Sequence, residues 1–206
     1  MISTNDRYNI YTKVFIFLIQ NKLYVNPISI QKVCEILNIK LSPLSNISKG
    51  SGLSNEDIFT IWGNEDGAAN SARLLDGTLI HKISYNDSKP TSRIRFTIWE
   101  EICHILLGHT LDKNFNIFNQ QYDIDLYSRY EEEARIAAGM FIFNPVFYYL
   151  NKDNLTIDKI CYLFGLSEKC AIVRCNIYNR FEQEIKSHHL YKFLPIPTLK
   201  QTLIAV

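Results

Sequence analysis

Two neighbouring carboxylates and an imidazole, Glu100, Glu101 and His104, lie in the run Arg93-Ile-Arg-Phe-Thr-Ile-Trp-Glu-Glu-Ile-Cys-His-Ile-Leu-Leu-Gly-His109. At about 100° per residue, a helix puts Ile94, Ile98, Ile102, Ile105 and Leu106 on one side and Thr97, Glu100, Glu101 and His104 on the other. Charge on an otherwise apolar helix is costly to bury unless it is paired or bound to a metal. The spacing suggests a metal. In His-Glu-x-x-His, two ligands one turn apart hold Zn²⁺, and the Glu after the first acts as general base on the bound water. Here the frame reads Glu100-Glu101-Ile102-Cys103-His104. The base and the second ligand are present, and a Glu stands where the first His belongs.

Other elements must position this helix. Residues 6–22 read as an amphipathic helix opened by Asn5-Asp6, and residues 28–37 as a second behind Pro27. Residues 39–44 form a short extended segment, and Ser45–Asn55, rich in Ser, Asn and Gly, reads as a loop. A short helix over residues 55–62 precedes a hairpin, whose arms 68–75 and 78–85 flank the turn signal Asp76-Gly77. Pro90 ends the second arm, and Thr91 or Ser92 caps the central helix. After a polar connection over 110–128, a helix from about Ser128 to Phe143 has a small, polar face at Glu131, Ala134, Arg135 and Ala138. That face allows close approach, so Glu131 can reach the site of His104. Asn144-Pro145 ends it and starts another short helix. Two further helices, 155–164 and 167–181, form a separate unit, followed by an apolar tail over 188–206 that is expected to be extended and docked.

The expected fold is therefore α+β, mainly helical with a small antiparallel sheet. Residues 1–150 form one domain, and residues 151–206 form a C-terminal helix-turn-helix-like unit with its tail. A length of 206 residues suits this division. The net charge of +1 gives no bulk case for nucleic acid or a membrane surface. Five cysteines without a Cys-x-x-Cys pair read as reduced and packed, so a cytoplasmic protein is expected. The apolar stretch Val14–Ile19 is too short to span a bilayer.

The run Tyr85-Asn-Asp-Ser-Lys-Pro-Thr-Ser-Arg-Ile-Arg-Phe-Thr-Ile-Trp-Glu-Glu-Ile-Cys-His-Ile-Leu-Leu-Gly-His109 resembles the core of the ImmA/IrrE family of zinc metallopeptidases, roughly N-D-S-K-P-x-x-R-x-R-F-T-x-A-H-E-x-G-H-x-x-L-G-H. Glu131-Glu-Glu-Ala-Arg-Ile-Ala-Ala-Gly-Met-Phe-Ile-Phe-Asn144 is similar to the family's E-x-E-A-N-x-F-A-x-x-L-L-x-P. Leu163-Phe-Gly-Leu-Ser-Glu-Lys-Cys-Ala-Ile-Val-Arg174 is similar to its F-x-V-S-x-x-A-A-x-x-R. The resemblance implies a zincin-like fold and regulatory proteolysis of a helix-turn-helix repressor of a phage or mobile element. It puts the catalytic Glu on Glu101, the second His ligand on His104 and the acidic third ligand on Glu131, with Glu133 as the rival.

Three residues depart from the pattern. Glu100 replaces the first His, the bulky Trp99 replaces a small residue, and Arg135 replaces an Asn. Glu100, His104 and Glu131 still make a chemically allowed metal shell. Two carboxylates, however, neutralise the ion, weaken its pull on bound water and favour a harder divalent metal over zinc. The opposite reading is a degenerate site without metal, in which Arg135 pairs with Glu131 or Glu100 and supplies the cation. Three functions follow: a metallopeptidase acting on a repressor, a pseudopeptidase that binds a regulatory partner without cutting it, and a DNA-binding regulator using residues 155–181. The mixed charges of that last segment argue for packing or protein docking over DNA. His109, about 140° round the helix from His104, is expected to meet free carbonyls at the helix end. His81 is expected to be an exposed strand residue, and His188-His189 a surface pair.

Overall fold

The computed structural model describes residues 2–23, 27–112 and 124–194. In chain order the helices are α1 (Thr4–Gln20), α2 (Ile30–Ile36), α3 (Leu44–Ser51), α4 (Asn55–Trp62), α5 (Thr91–Leu107), α6 (Ile124–Ile142), α7 (Pro145–Asn151), α8 (Ile157–Phe164), α9 (Glu168–Arg180) and α10 (Glu182–Lys186). The strands are β1 (Ile39–Pro43), β2 (Gly67–Arg73) and β3 (Leu79–Tyr85), in spatial order β1-β3-β2. β2 and β3 form the expected hairpin, with Ala69 opposite Ile83. The sheet is mixed rather than antiparallel, because β1 runs parallel to β3. α3, α4 and β2 make the crossover that such a parallel pair needs.

Chain contacts divide the molecule into two units, one of residues 1–2 and 29–138, the other of residues 3–28 and 139–206. The divide falls within α6, after residue 138, rather than at the 150/151 boundary read from the sequence. The first unit carries the sheet and α5. Its α5 is the expected central helix, stopped by Gly108 in the left-handed conformation at φ 90°. Pro90 precedes it without any side-chain cap, so neither Thr91 nor Ser92 plays that part.

The stretch expected as a loop, Ser45–Asn55, holds α3 instead. Two interactions outweigh its poor local propensity. The Asp87 carboxylate accepts from the Ser45 N–H at 3.0 Å and from the Ser45 hydroxyl at 2.5 Å, which places an anion on the helix N-terminus. Leu44 then packs into a cluster with Ile58, Trp62 and Ala68. α4 is set by a capping box between Ser54 and Asp57.

In the second unit, α1 begins two residues earlier than expected. A Ser3–Asp6 capping box opens it, rather than Asn5-Asp6. Phe143, Phe147, Phe164 and Tyr178 pack in tilted and edge-on pairs around one core. The Tyr178 hydroxyl donates to the carbonyls of Gly139 and Phe143. His188 is not a surface residue: it is 3% exposed, and its Nε2 lies 3.0 Å from the Thr12 hydroxyl. The tail expected over 188–206 includes a 3-10 turn at Tyr191–Phe193, and its part from 195 onward lies outside the described residues.

Gly67 lets β2 approach α5. A Cβ there would sit 2.6 Å from the Ser84 carbonyl oxygen and 2.9 Å from the Thr97 Cγ2. Gly67→Ala should therefore cost about 1–3 kcal/mol of unfolding free energy. Gly50→Ala, with open space around it, should leave stability unchanged or raise it by up to about 1 kcal/mol. Urea denaturation of the two variants checks both.

Candidate functional site

The polar face of α5 opens onto a cavity of about 340 Å³, lined by Thr97, Glu100, Glu101 and His104 from α5 and by Tyr127, Ser128, Glu131 and Arg135 from α6. Asn64, Asp66 and Arg93 close one end. A narrower recess beside it adds Gly67, Ala68 and Ala69 of β2, and Thr110. The four α5 residues that periodicity put on one face thus line this cavity together. The small face of α6 at Ala134 and Ala138 is fully buried, as close approach requires. Trp99 is also fully buried and does not line the cavity, so its bulk does not obstruct entry.

Glu131 stands beside His104, with Oε1 3.4 Å from the imidazole Nε2. Glu133, the rival, points elsewhere: its carboxylate takes His109 Nε2 at 3.1 Å and Arg129 Nε at 2.8 Å. His109 is not confined to the helix end. It is buried, stacks on Tyr130 at 4.1 Å, and brings its Nδ1 to 3.1 Å from His104 Nδ1. A continuous chain therefore runs Glu131–His104–His109–Glu133. Its three links need three protons, and two neutral imidazoles supply two. With all links made, the imidazole pair carries one positive charge. The sequence offered no signal for this chain, because it depends on the turn after Gly108 folding His109 back. His81 was also misplaced. It is half-buried, with Nδ1 2.6 Å from the Ser71 hydroxyl, which lies 2.6 Å from that of Thr110.

Arg135 crosses from α6 to α5. Its Nε donates to Glu100 Oε1 at 2.9 Å and its Nη2 to Glu131 Oε2 at 3.2 Å. The electrostatics follow from this crowding. Burial raises the pKa of Glu100, with Arg135 pulling it back and Glu131 pushing it up. Burial pushes Glu101 up to about 7, against His104 and with help from Glu131 and Glu100. Its carboxylate accepts the Ala69 N–H from the outer edge of β2. For Glu131, burial is outweighed by the bond and charge of His104, by Arg135 and by Tyr127, so its pKa falls. For His104, burial is outweighed by Glu131, Glu101 and Glu100, so its pKa rises.

A family model, the IrrE N-terminal-like domain of the M78 peptidases, matches residues 60–176. The chain belongs to this IrrE-like peptidase family. No curated protein and no solved structure matches it. The α+β, zincin-like architecture agrees with that membership. The run that carried the resemblance serves partly as scaffold. Asn86 donates to the Glu65 carbonyl, Asp87 caps α3, and Arg93 grips Asp66 with two bonds of 3.0 and 2.6 Å.

The IrrE-like family implies zinc, so the donor set matters. His104 and Glu131 meet, but Glu100 faces a guanidinium. Among the described residues, no three His, Cys, Asp or Glu side chains are arranged to hold a metal ion. As arranged, the side chains do not fit zinc. No described helix is long and apolar enough to cross a membrane.

The raised pKa of Glu101 has a sign that can be tested. The unfolded carboxyl ionises near its ordinary value of 4.5, the folded one near 7. The folded state holds the extra proton in that window, so burial of Glu101 penalises folding increasingly as pH rises through it. Glu101→Gln should come close to the parent near pH 4.5 and exceed it by about 3 kcal/mol at pH 8. Urea unfolding of chelator-treated protein at the two pH values checks this.

Proposed function

We propose that this domain recognises a regulatory protein of the helix-turn-helix repressor type in the α5–α6 cavity, and that it does so without cutting it. One observation carries the reading. The position that should offer a first imidazole to a metal offers Glu100, a carboxylate already engaged by Arg135. A zincin needs three protein ligands and a polarised water to attack a peptide. This cavity has polar walls and room for a peptide side chain but directs its first donor at a cation of its own. Glu101 then has no activated water to deprotonate. It is a protonatable wall residue, and Tyr127, Ser128 and Thr97 beside it are donors and acceptors for a bound chain.

Cleavage is the second reading, favoured by the retained neighbourhood of Glu101, His104 and Glu131. In it, Glu101 would be the catalytic base, and His104, Glu131 and Glu100 the metal-holding groups, with zinc or a harder divalent ion. A DNA-binding role for α8–α9 has less support. Arg174, a cation of α9, is 7% exposed, and its guanidinium packs on Gly139. A phosphate-binding side chain needs access to solvent.

Co-incubation with a helix-turn-helix repressor separates the two. Complex formation, read by size-exclusion chromatography, should persist in EDTA and in Glu101→Gln, with the repressor intact on a gel. Repressor fragments that disappear with EDTA and with Glu101→Gln would overturn the binding-only reading and establish a peptidase.

A further inference from the structure

We infer that Arg135 is the resident cation of this site, and that Glu100 and Arg135 are one coupled exchange that replaced a metal-binding pair. Two of the three departures from the family pattern, Glu100 and Arg135, stand 35 residues apart in the chain and touch each other. Glu100 occupies the position of the first imidazole, Arg135 that of an Asn four residues after the acidic ligand. Each change alone would be a defect. Glu100 alone adds a third carboxylate to a cavity that already holds Glu101 and Glu131, and like charges held close in a desolvated space are costly. Arg135 alone puts a guanidinium beside a metal. Together they cancel.

The geometry suits the role. A guanidinium is a planar fork that can serve two carboxylates at once, which an ammonium does less well. Arg135 uses this fork on acceptors from two helices, Glu100 of α5 and Glu131 of α6. A bridging ion would make the same crosslink. Glu131 lies one turn before Arg135 on α6, so that half of the fork is local. The bond to Glu100 is the long-range half, and it secures the first-ligand position. Arg135 remains 58% exposed, which limits the energy of each ion pair without changing its position. The inference rests on the non-cleaving reading for its meaning, but it is tested without any partner.

The probe is Zn²⁺ alone, with native mass spectrometry counting bound zinc and melting temperature reporting stability. The parent chain and Glu100→His should retain no stoichiometric zinc, because Arg135 still occupies the site. Glu100→His with Arg135→Asn should take close to one zinc per chain and melt higher in its presence. Arg135→Ala should melt about 2–4 °C below the parent, the shift expected for about 1 kcal/mol in a chain of this size. One zinc on the parent, one zinc on the single Glu100→His variant, or none on a double variant with native circular dichroism overturns the inference. So does an unchanged melting temperature for Arg135→Ala, an arm that decides the matter even when the double variant fails to fold. Zinc on the parent would sink this inference and leave the partner-binding reading to the cleavage assay. Repressor fragments from a zinc-free parent would sink that reading and leave this inference standing.

Discussion

Three carboxylates share one cavity with few solvent contacts, and the arrangement of the first unit around α5 answers to that constraint. Glu100, Glu101 and Glu131 all line it. Buried charge needs a partner of opposite sign, and these three are supplied unequally. Glu100 takes the Arg135 fork. Glu131 takes the same guanidinium, His104 and the Tyr127 hydroxyl. Glu101 receives a backbone N–H from Ala69 and feels the His104 imidazole beside it. The order of their pKa shifts follows from this division. Glu131, the best supplied, goes down; Glu100, served by one exposed arginine, goes up; Glu101 goes up to about 7. The least compensated carboxylate is the one that the family pattern would make a general base. Burial first, and the neighbouring carboxylates Glu131 and Glu100 after it, raise its pKa.

Legibility in the sequence tracked the range of the interactions. The α5 face came directly from periodicity, because its polar arc and apolar arc repeat within one helix. Gly108 and the Asp76-Gly77 turn are local signals, and both elements formed where they predicted. α3 was not legible. Its anchor is Asp87, 42 residues downstream, and no local propensity announces a cap brought from that distance. The parallel placement of β1 was hidden for the same reason, since a strand's neighbour across a crossover leaves no mark on its own pattern.

The site itself divides in the same way. Glu100, Glu101 and His104 were identified by spacing on one helix. Glu131 over Glu133 was a helix-face argument, and the structure turns the two acids in different directions, one to His104 and the other to His109 and Arg129. What spacing could not reveal was the His104–His109 contact. About 140° apart on an ideal helix, the two rings meet only because Gly108 ends α5 and the following 3-10 turn brings His109 back, still buried. Geometry extrapolated along a helix fails where the helix stops.

The proposed partner recognition draws in part on cavity residues other than the candidate metal ligands, among them Thr97, Tyr127 and Ser128. Several contacts that hold the walls of the cavity involve no candidate metal-ligand position. Arg93 holds Asp66 at one end, Asn86 ties the β3 exit to Glu65, and Gly67 admits the close approach of β2 to Thr97. Replacing one imidazole by a carboxylate leaves all of these intact and changes only the charge at the base of the cleft. A compensating guanidinium then restores the balance without moving a wall. If the exchange of Glu100 and Arg135 is coupled as inferred, the walls of the cleft are left in place for the binding proposed above.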